Sequence, residues 1–355
     1  MIESFPVRRW AICFIVACSF LMLQPAALMA FTPVQPVKNP TQSVHQSVWF
    51  SMHQASRAIR LNQPDQAIIH LKKAVNHDPK QLIAHYLLAE TAYELSGKTV
   101  STAQQNIYRI LAETHFEKTF YLNPRVLSAT LKLGKLAMTE KRYDDAERYY
   151  SRALQVLPNS AVLHFNLANV YDEQSRYELA VTEYNAAIDL DPSFIYAYNN
   201  VGLVYEMMGE YPKAVEAFHH AIKQDPSYNF ARLNLGQAYL KMNNNLEAER
   251  LFTAALEYEP DNPWAYLYLG NLHVQNDSYT QAAQAYQSAI ERAPTYAPTY
   301  YLLAAVLHKQ QRYEESLKFG KLYLKLSPQG LYAKQAMQLV QFLEAKRLAQ
   351  VPEKI

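Results

Sequence analysis

The sequence predicts an all-α fold, a solenoid of antiparallel helix pairs. Seven prolines stand 34 residues apart: Pro124, Pro158, Pro192, Pro226, Pro260, Pro294 and Pro328. A fixed period of this length marks a repeat array. Between the prolines, small and aromatic residues recur at helical spacing. Composition agrees, since half of the 355 residues are hydrophobic and only 8 are glycine, which disfavours strands and glycine-rich turns.

Each element of the repeat has a physical reason. Ala146, Ala180, Ala214, Ala248 and Ala282 keep the period, as do Tyr150, Tyr184, Phe218, Phe252 and Tyr286, then Ala153, Ala187, Ala221, Ala255 and Ala289. Steps of four and three put the members of each set on one helical face. Small residues also recur earlier in each unit, at Gly134, Ala168, Gly202, Gly236, Gly270 and Ala304. They let two helices approach closely while the aromatic fills the space between units. In residues 195–226 a first helix is expected from Ile195 to Met208, broken by Gly209. A second follows from Pro212 to Gln224, with proline tolerated in the first turn. Asp225-Pro226 then closes the unit, because proline cannot continue a helix. Many of the 27 tyrosines fall at such packing positions, including the series Tyr143, Tyr177, Tyr211, Tyr279 and Tyr313.

These residues resemble the tetratricopeptide repeat family: a small residue in the first helix, an aromatic three on (Tyr171, Tyr205, Tyr239), the alanine–aromatic–alanine series and the terminal proline. The resemblance implies a right-handed superhelical solenoid of about eight units. They are expected at 48–79, 82–124, 127–158, 161–192, 195–226, 229–260, 263–294 and 297–328. The second unit carries eleven extra residues near 96–106, with Gly97 as a break and Ser101 or Thr102 as a cap. The last unit drifts at Ser316, Gly320 and Tyr323, as expected where no unit follows. Residues 329–355 form a capping helix and tail, with Ala336, Leu339, Val340, Leu343 and Ala345 on its apolar face.

The N-terminus reads as a separate element. Arg8-Arg9 precede an apolar run from Trp10 to Leu23, and small residues follow to Ala30. Residues 1–30 therefore read as an export signal or, uncleaved, as a membrane anchor. Either reading places the repeats outside the cytoplasm, in the cell envelope. Cys13 and Cys18, the two cysteines, lie in this segment, and Ile15 to Cys18 also resembles a lipoprotein cleavage box. Residues 31–47 read as an extended linker with Pro33, Pro36 and Pro40, roughly 45 Å long.

The polar residues point to binding. No phosphate loop, metal-ligand spacing or nucleophile motif is present, so no enzyme activity, cofactor or metal is expected. His85 and His164 fall at packing positions, and adjacent His219 and His220 diverge on a helix. Beyond residue 30 the chain holds 32 basic and 31 acidic residues, too balanced for the basic footprint that nucleic acid requires. In the family, first helices line a concave groove, and the resemblance places Asn166, Asn200 and Asn234 along it as a ladder. Tyr196, Phe230 and Trp264 run beside it at the same period, with Phe165 and Asn169 nearby. Amides offer both donor and acceptor to an extended backbone, and aromatics add contact area. The expected partner is a peptide or protein. A glycan in envelope assembly, or a separate enzyme regulated by this chain, are the alternatives.

Overall fold

A computed structural model of the protein describes residues 40–349. Within them lie seventeen α-helices and no strand. The first eight are α1 (Pro40–Arg60), α2 (Pro64–His77), α3 (Leu82–Lys98), α4 (Thr102–Leu122), α5 (Leu127–Thr139), α6 (Tyr143–Val156), α7 (Ala161–Glu173) and α8 (Tyr177–Leu190). The rest are α9 (Ile195–Met207), α10 (Tyr211–Gln224), α11 (Asn229–Lys241), α12 (Asn245–Tyr258), α13 (Pro263–Gln275), α14 (Tyr279–Arg292), α15 (Ala297–Lys309), α16 (Tyr313–Leu326) and α17 (Ala333–Ala349). Each odd helix from α1 to α15 packs on the even helix that follows, and α17 packs on α16. The chain divides into two compact units, one ending at Pro192 and the other beginning at Ser193.

The periodic residues make the core. Ala146, Tyr150, Ala153, Ala214, Phe218, Ala221, Ala248, Phe252 and Ala255 are buried at 1% exposure or less. Burying each such aromatic stabilises the pair by about 1.5–3 kcal/mol. The small first-helix residue is what admits the ring. A Cβ on Gly202 would lie 2.6 Å from Phe218, and one on Gly270 would lie 2.5 Å from Tyr286.

Two devices tie the turns. Between first and second helix one residue takes the left-handed conformation: Lys141, Ser175, Gly209, Asn243, Asp277 and Gln311, with φ from 54° to 77°. These too are 34 apart, although only Gly209 is a residue type that suits this conformation without steric cost. At the other turn, a side chain in the first helix reaches back six residues to the carbonyl of the terminal proline. Tyr300 Oη donates to Pro294 at 2.9 Å, Tyr266 to Pro260 at 3.2 Å and His164 Nε2 to Pro158 at 2.9 Å. Arg232 makes the same reach to Pro226.

The structure departs from the sequence reading in four places. Helix α1 begins at Pro40, so residues 40–47 are helical where an extended linker was expected. Proline fits the first turn of a helix and nothing in 41–48 breaks one. Gly97 does not break α3, which runs on to Lys98. The eleven extra residues lengthen both helices of that pair, and Ser101 precedes α4 without a side-chain cap. The drift of the last pair has its own cause. Gly320 makes room for α17, where its Cβ would meet Val340 at 2.9 Å. Tyr323 accepts the backbone N–H of Tyr332 at 2.7 Å, and buried Ser316 donates to the carbonyl of Ala304 at 2.7 Å. Gly320 and Tyr323 thus fit the cap, and Ser316 ties α16 to α15; none of the three is slack at a free end. On α17, Ala336, Val340 and Leu343 are buried, while Ala345 is exposed.

Candidate functional site

In the unit that begins at Ser193, the first helices α9, α11 and α13 touch one another in order as well as their own partners. Their shared face holds a string of buried amides. Asn199 Nδ2 donates to Asn200 Oδ1 at 3.1 Å, and Asn234 Nδ2 donates to Asn199 Oδ1 at 2.9 Å. Exposure is 0% at Asn199, 5% at Asn200 and 1% at Asn234. Asn234 Oδ1 accepts no hydrogen bond, and an unsatisfied buried acceptor costs about 1–3 kcal/mol. The next residue in the 34-residue series is Tyr268, also buried, with its hydroxyl beside Gln237. Burial pushes its phenol upward, and the nearby Tyr296 and Glu206 add to the shift. Tyr296 has an unpartnered hydroxyl and is pushed up by burial to about 12.

The aromatic row lies at the start of the same helices. Tyr196 and Phe230 are joined through Tyr228, at ring separations of 5.5 and 5.9 Å, and Phe194 extends the row at 6.3 Å from Tyr196. Trp264 stands edge-on to Tyr296 at 4.7 Å. Phe230 is 36% exposed, while Tyr196 and Trp264 are half-buried. Asn262 caps α13 by accepting the N–H groups of Trp264 and Ala265 at 3.0 and 3.2 Å, which fixes where the indole starts.

The candidates in the preceding unit serve other ends. Half-buried Asn166 donates to the carbonyl of Val162 on its own helix at 2.7 Å. Phe165 is a core residue, 3% exposed, packed on Tyr184 at 5.7 Å. Asn169 accepts the hydroxyl of buried Tyr184 at 2.5 Å, and Asn271 does the same for Tyr286 at 2.7 Å. Phe165 and Asn169 therefore hold helix pairs together, a role their spacing did not reveal. The first-helix face here carries charge instead. Lys132 on α5 pairs with Glu90 on α3 and stands over the rings of Tyr93 and Phe116 at 5.2 and 5.7 Å. Ser128 donates to the hydroxyl of Tyr86 at 3.1 Å, and burial pushes that phenol up to about 12.

Sequence reasoning missed Asn199, Tyr228 and Tyr296. Asn199 breaks its own period, since Phe165, Leu233 and Leu267 occupy that place in other units. Tyr228 and Tyr296 do follow a series with Phe194, 34 and 68 residues apart, just before each first helix, and this was the available signal. The histidines pack as expected: His220 stacks on Tyr198 at 5.2 Å, and His164 meets Glu183 at 2.6 Å. Among the described residues no three or more potential ligands gather as a metal site, and no helix is long and apolar enough to cross a membrane. The N-terminal segment read as signal or anchor lies outside the described residues.

Comparison with known proteins places this geometry in a family. Models described as tetratricopeptide repeat match residues 111–161, 195–228, 233–297 and 285–318, and one described as TPR repeat matches 169–209. The chain belongs to the tetratricopeptide repeat family, whose members bind protein or peptide partners. Among solved structures it is similar to PilF of Pseudomonas aeruginosa, with a TM-score of 0.51 and 23% identity over 62% of this chain and 96% of that one. PilW, described as a widely conserved type IV pilus biogenesis factor, gives a TM-score of 0.54 and 17% identity over 60% and 99%. A tetratricopeptide repeat protein from Parabacteroides merdae gives 0.51 and 17% over 84% and 99%. At these identities the likeness shows the fold alone. No curated protein matches the chain.

Proposed function

We propose that the protein is a non-catalytic scaffold of the cell envelope that holds an extended peptide segment of a partner along its first-helix face. The array at 48–328 is the binding part, and α17 caps it. One observation carries the reading: a buried amide string that ends on an unpaired acceptor, Asn234 Oδ1, beside a row of rings. Side chains of a bound segment would rest on Tyr196, Phe230 and Trp264, and an outward turn of the buried Asn234 amide would bring its free acceptor to a backbone N–H of that segment. The groups gathered here are recognition groups: amides, hydroxyls and aromatic edges. Placement in the envelope rests on the export-like N-terminal sequence, and the likeness to PilW supports it in fold only.

Fluorescence polarisation against a library of unstructured peptides tests this. Wild-type protein is expected to bind a subset, and Asn199→Leu/Asn234→Leu to lose at least about tenfold, the worth of one buried hydrogen bond, with an unchanged circular dichroism spectrum. Equal affinity of the variant would sink the peptide reading. Competition by cell-wall glycan fragments but not by peptides would move the assignment to sugar.

A further inference from the structure

The stretched pair α3/α4 contains a feature that the binding face does not use. His85 on α3 is 6% exposed, and His115 on α4 is half-buried. Their Nδ1 atoms lie 2.8 Å apart, with ring centroids at 5.0 Å. His85 Nε2 is 3.1 Å from the carbonyl of Pro79. A carbonyl only accepts, so His85 carries its proton on Nε2 and its Nδ1 is a lone pair. The short Nδ1 contact then requires that His115 carry its proton on Nδ1 and donate it. Burial lowers both rings and so favours the neutral pair at pH 7, whose tautomers are set by the partners.

We propose that His85 and His115 form an acid-released latch, holding the first turns of α3 against α4 at neutral pH and letting them part in acid. Proton counting gives the mechanism. With one added proton, a lone pair still remains between the two Nδ1 atoms. With two, both nitrogens are donors facing each other at 2.8 Å, and two cationic rings share a half-buried site. The charges facing the rings favour the neutral state. Lys72 of α2 acts on His115, and Lys118 of α4 acts on His85, while Asp78 before α3 opposes only in part. Lys132 of α5, the helix packed on α4, is committed to Glu90. Burial holds His115 down to about 4, with His85 and Lys72 adding to the effect, and burial also lowers His85. Because these bases are depressed in the folded state, the unfolded chain binds protons first. The stability they confer is full above about pH 6.5 and is lost as pH falls towards 4. Opening reaches the first-helix face, because Tyr86, next to His85, is held by Ser128 of α5.

The test is site-resolved hydrogen exchange on the full chain at pH 7 and pH 4.5, corrected for intrinsic rates, with ring titration by NMR. Amides in the first turns of α3 are expected to exchange about tenfold faster at pH 4.5, and His85→Gln/His115→Gln, which cannot charge, to abolish that increase. The same acceleration in the variant, or none in the wild type, would overturn the latch. If the variant does not fold at pH 7, the wild-type rings decide. Both must titrate below pH 6 together with the loss of protection, and titration near 6.5 with protection intact refutes the proposal. No partner is involved, so the result is independent of the binding assignment.

Discussion

The two units solve the same packing problem with different polar chemistry on their first helices. Before Pro192 the face carries an ion pair, Lys132 with Glu90, lodged over Tyr93 and Phe116. After Ser193 the first helices hold neutral amides, Asn199, Asn200 and Asn234, of which Asn200 and Asn234 are in phase with Lys132; they are bonded to each other and closed to solvent. One carboxylate oxygen of Glu90 is matched to Lys132 and responds to salt, while the other, Oε1, is buried without a hydrogen-bond partner. The amide string is likewise one donor short, at Asn234 Oδ1. A shared fold therefore carries a charged pair on one face and a neutral amide string on the other, each with a buried acceptor left unpaired.

Four measurements break or sharpen that contrast. The largest effect is expected at the shared aromatic position. Phe116 and Phe218 are both fully buried, so Phe116→Ala and Phe218→Ala should each cost about 3–5 kcal/mol in chemical denaturation. A much smaller cost at Phe116 would mean that the stretched pair collapses onto Tyr86 and Tyr93 and is not equivalent to the regular ones. Next, Asn234→Ala strands the oxygen of Asn199 and should cost about 1–3 kcal/mol. Replacing both residues by leucine removes that stranded oxygen but also takes the Asn199 donor from Asn200, so it should cost a similar amount and not the sum of two such losses. Lys132→Met should cost about 1 kcal/mol and flatten the salt dependence of the first unit's unfolding, whereas the asparagine variants should leave salt dependence unchanged. The smallest effect is a gain. Gln311→Gly and Lys141→Gly relieve left-handed turns at φ 61° and 59° and should raise stability by about 0.5–1 kcal/mol at most, a shift of a few degrees in melting temperature.

The repeat was legible because its core depends on neutral small and aromatic residues whose fit tolerates little change. Gly202 must face Phe218, and the residue sixteen places earlier announces the ring. The left-handed turn residue is equally periodic in the structure, but Lys141, Ser175 and Gln311 conceal it, since the surrounding helices hold the backbone there whatever the side chain. The proposed binding face was legible in part. Asn200 and Asn234 kept phase, and the structure places both in the buried amide string. Asn199, which joins them, was missed because its place in other units is apolar core. Phe165 and Asn169 sat at plausible positions yet face buried Tyr184, a pairing that only the packing of α7 on α8 reveals. The start of α1 was missed because three prolines and a run of polar residues looked like linker, although Pro40 can open a helix.

The central claim is that a partner segment lies along the first helices of the second unit, and site-specific crosslinking tests it most directly. A photoreactive phenylalanine analogue at Phe230, on that face, is compared with one at Leu246, which is 76% exposed on the second helix of the same pair. The account predicts a partner adduct from position 230 that Asn199→Leu/Asn234→Leu removes, and none from position 246. Equal adducts from both positions, or an adduct from 246 alone, would contradict it.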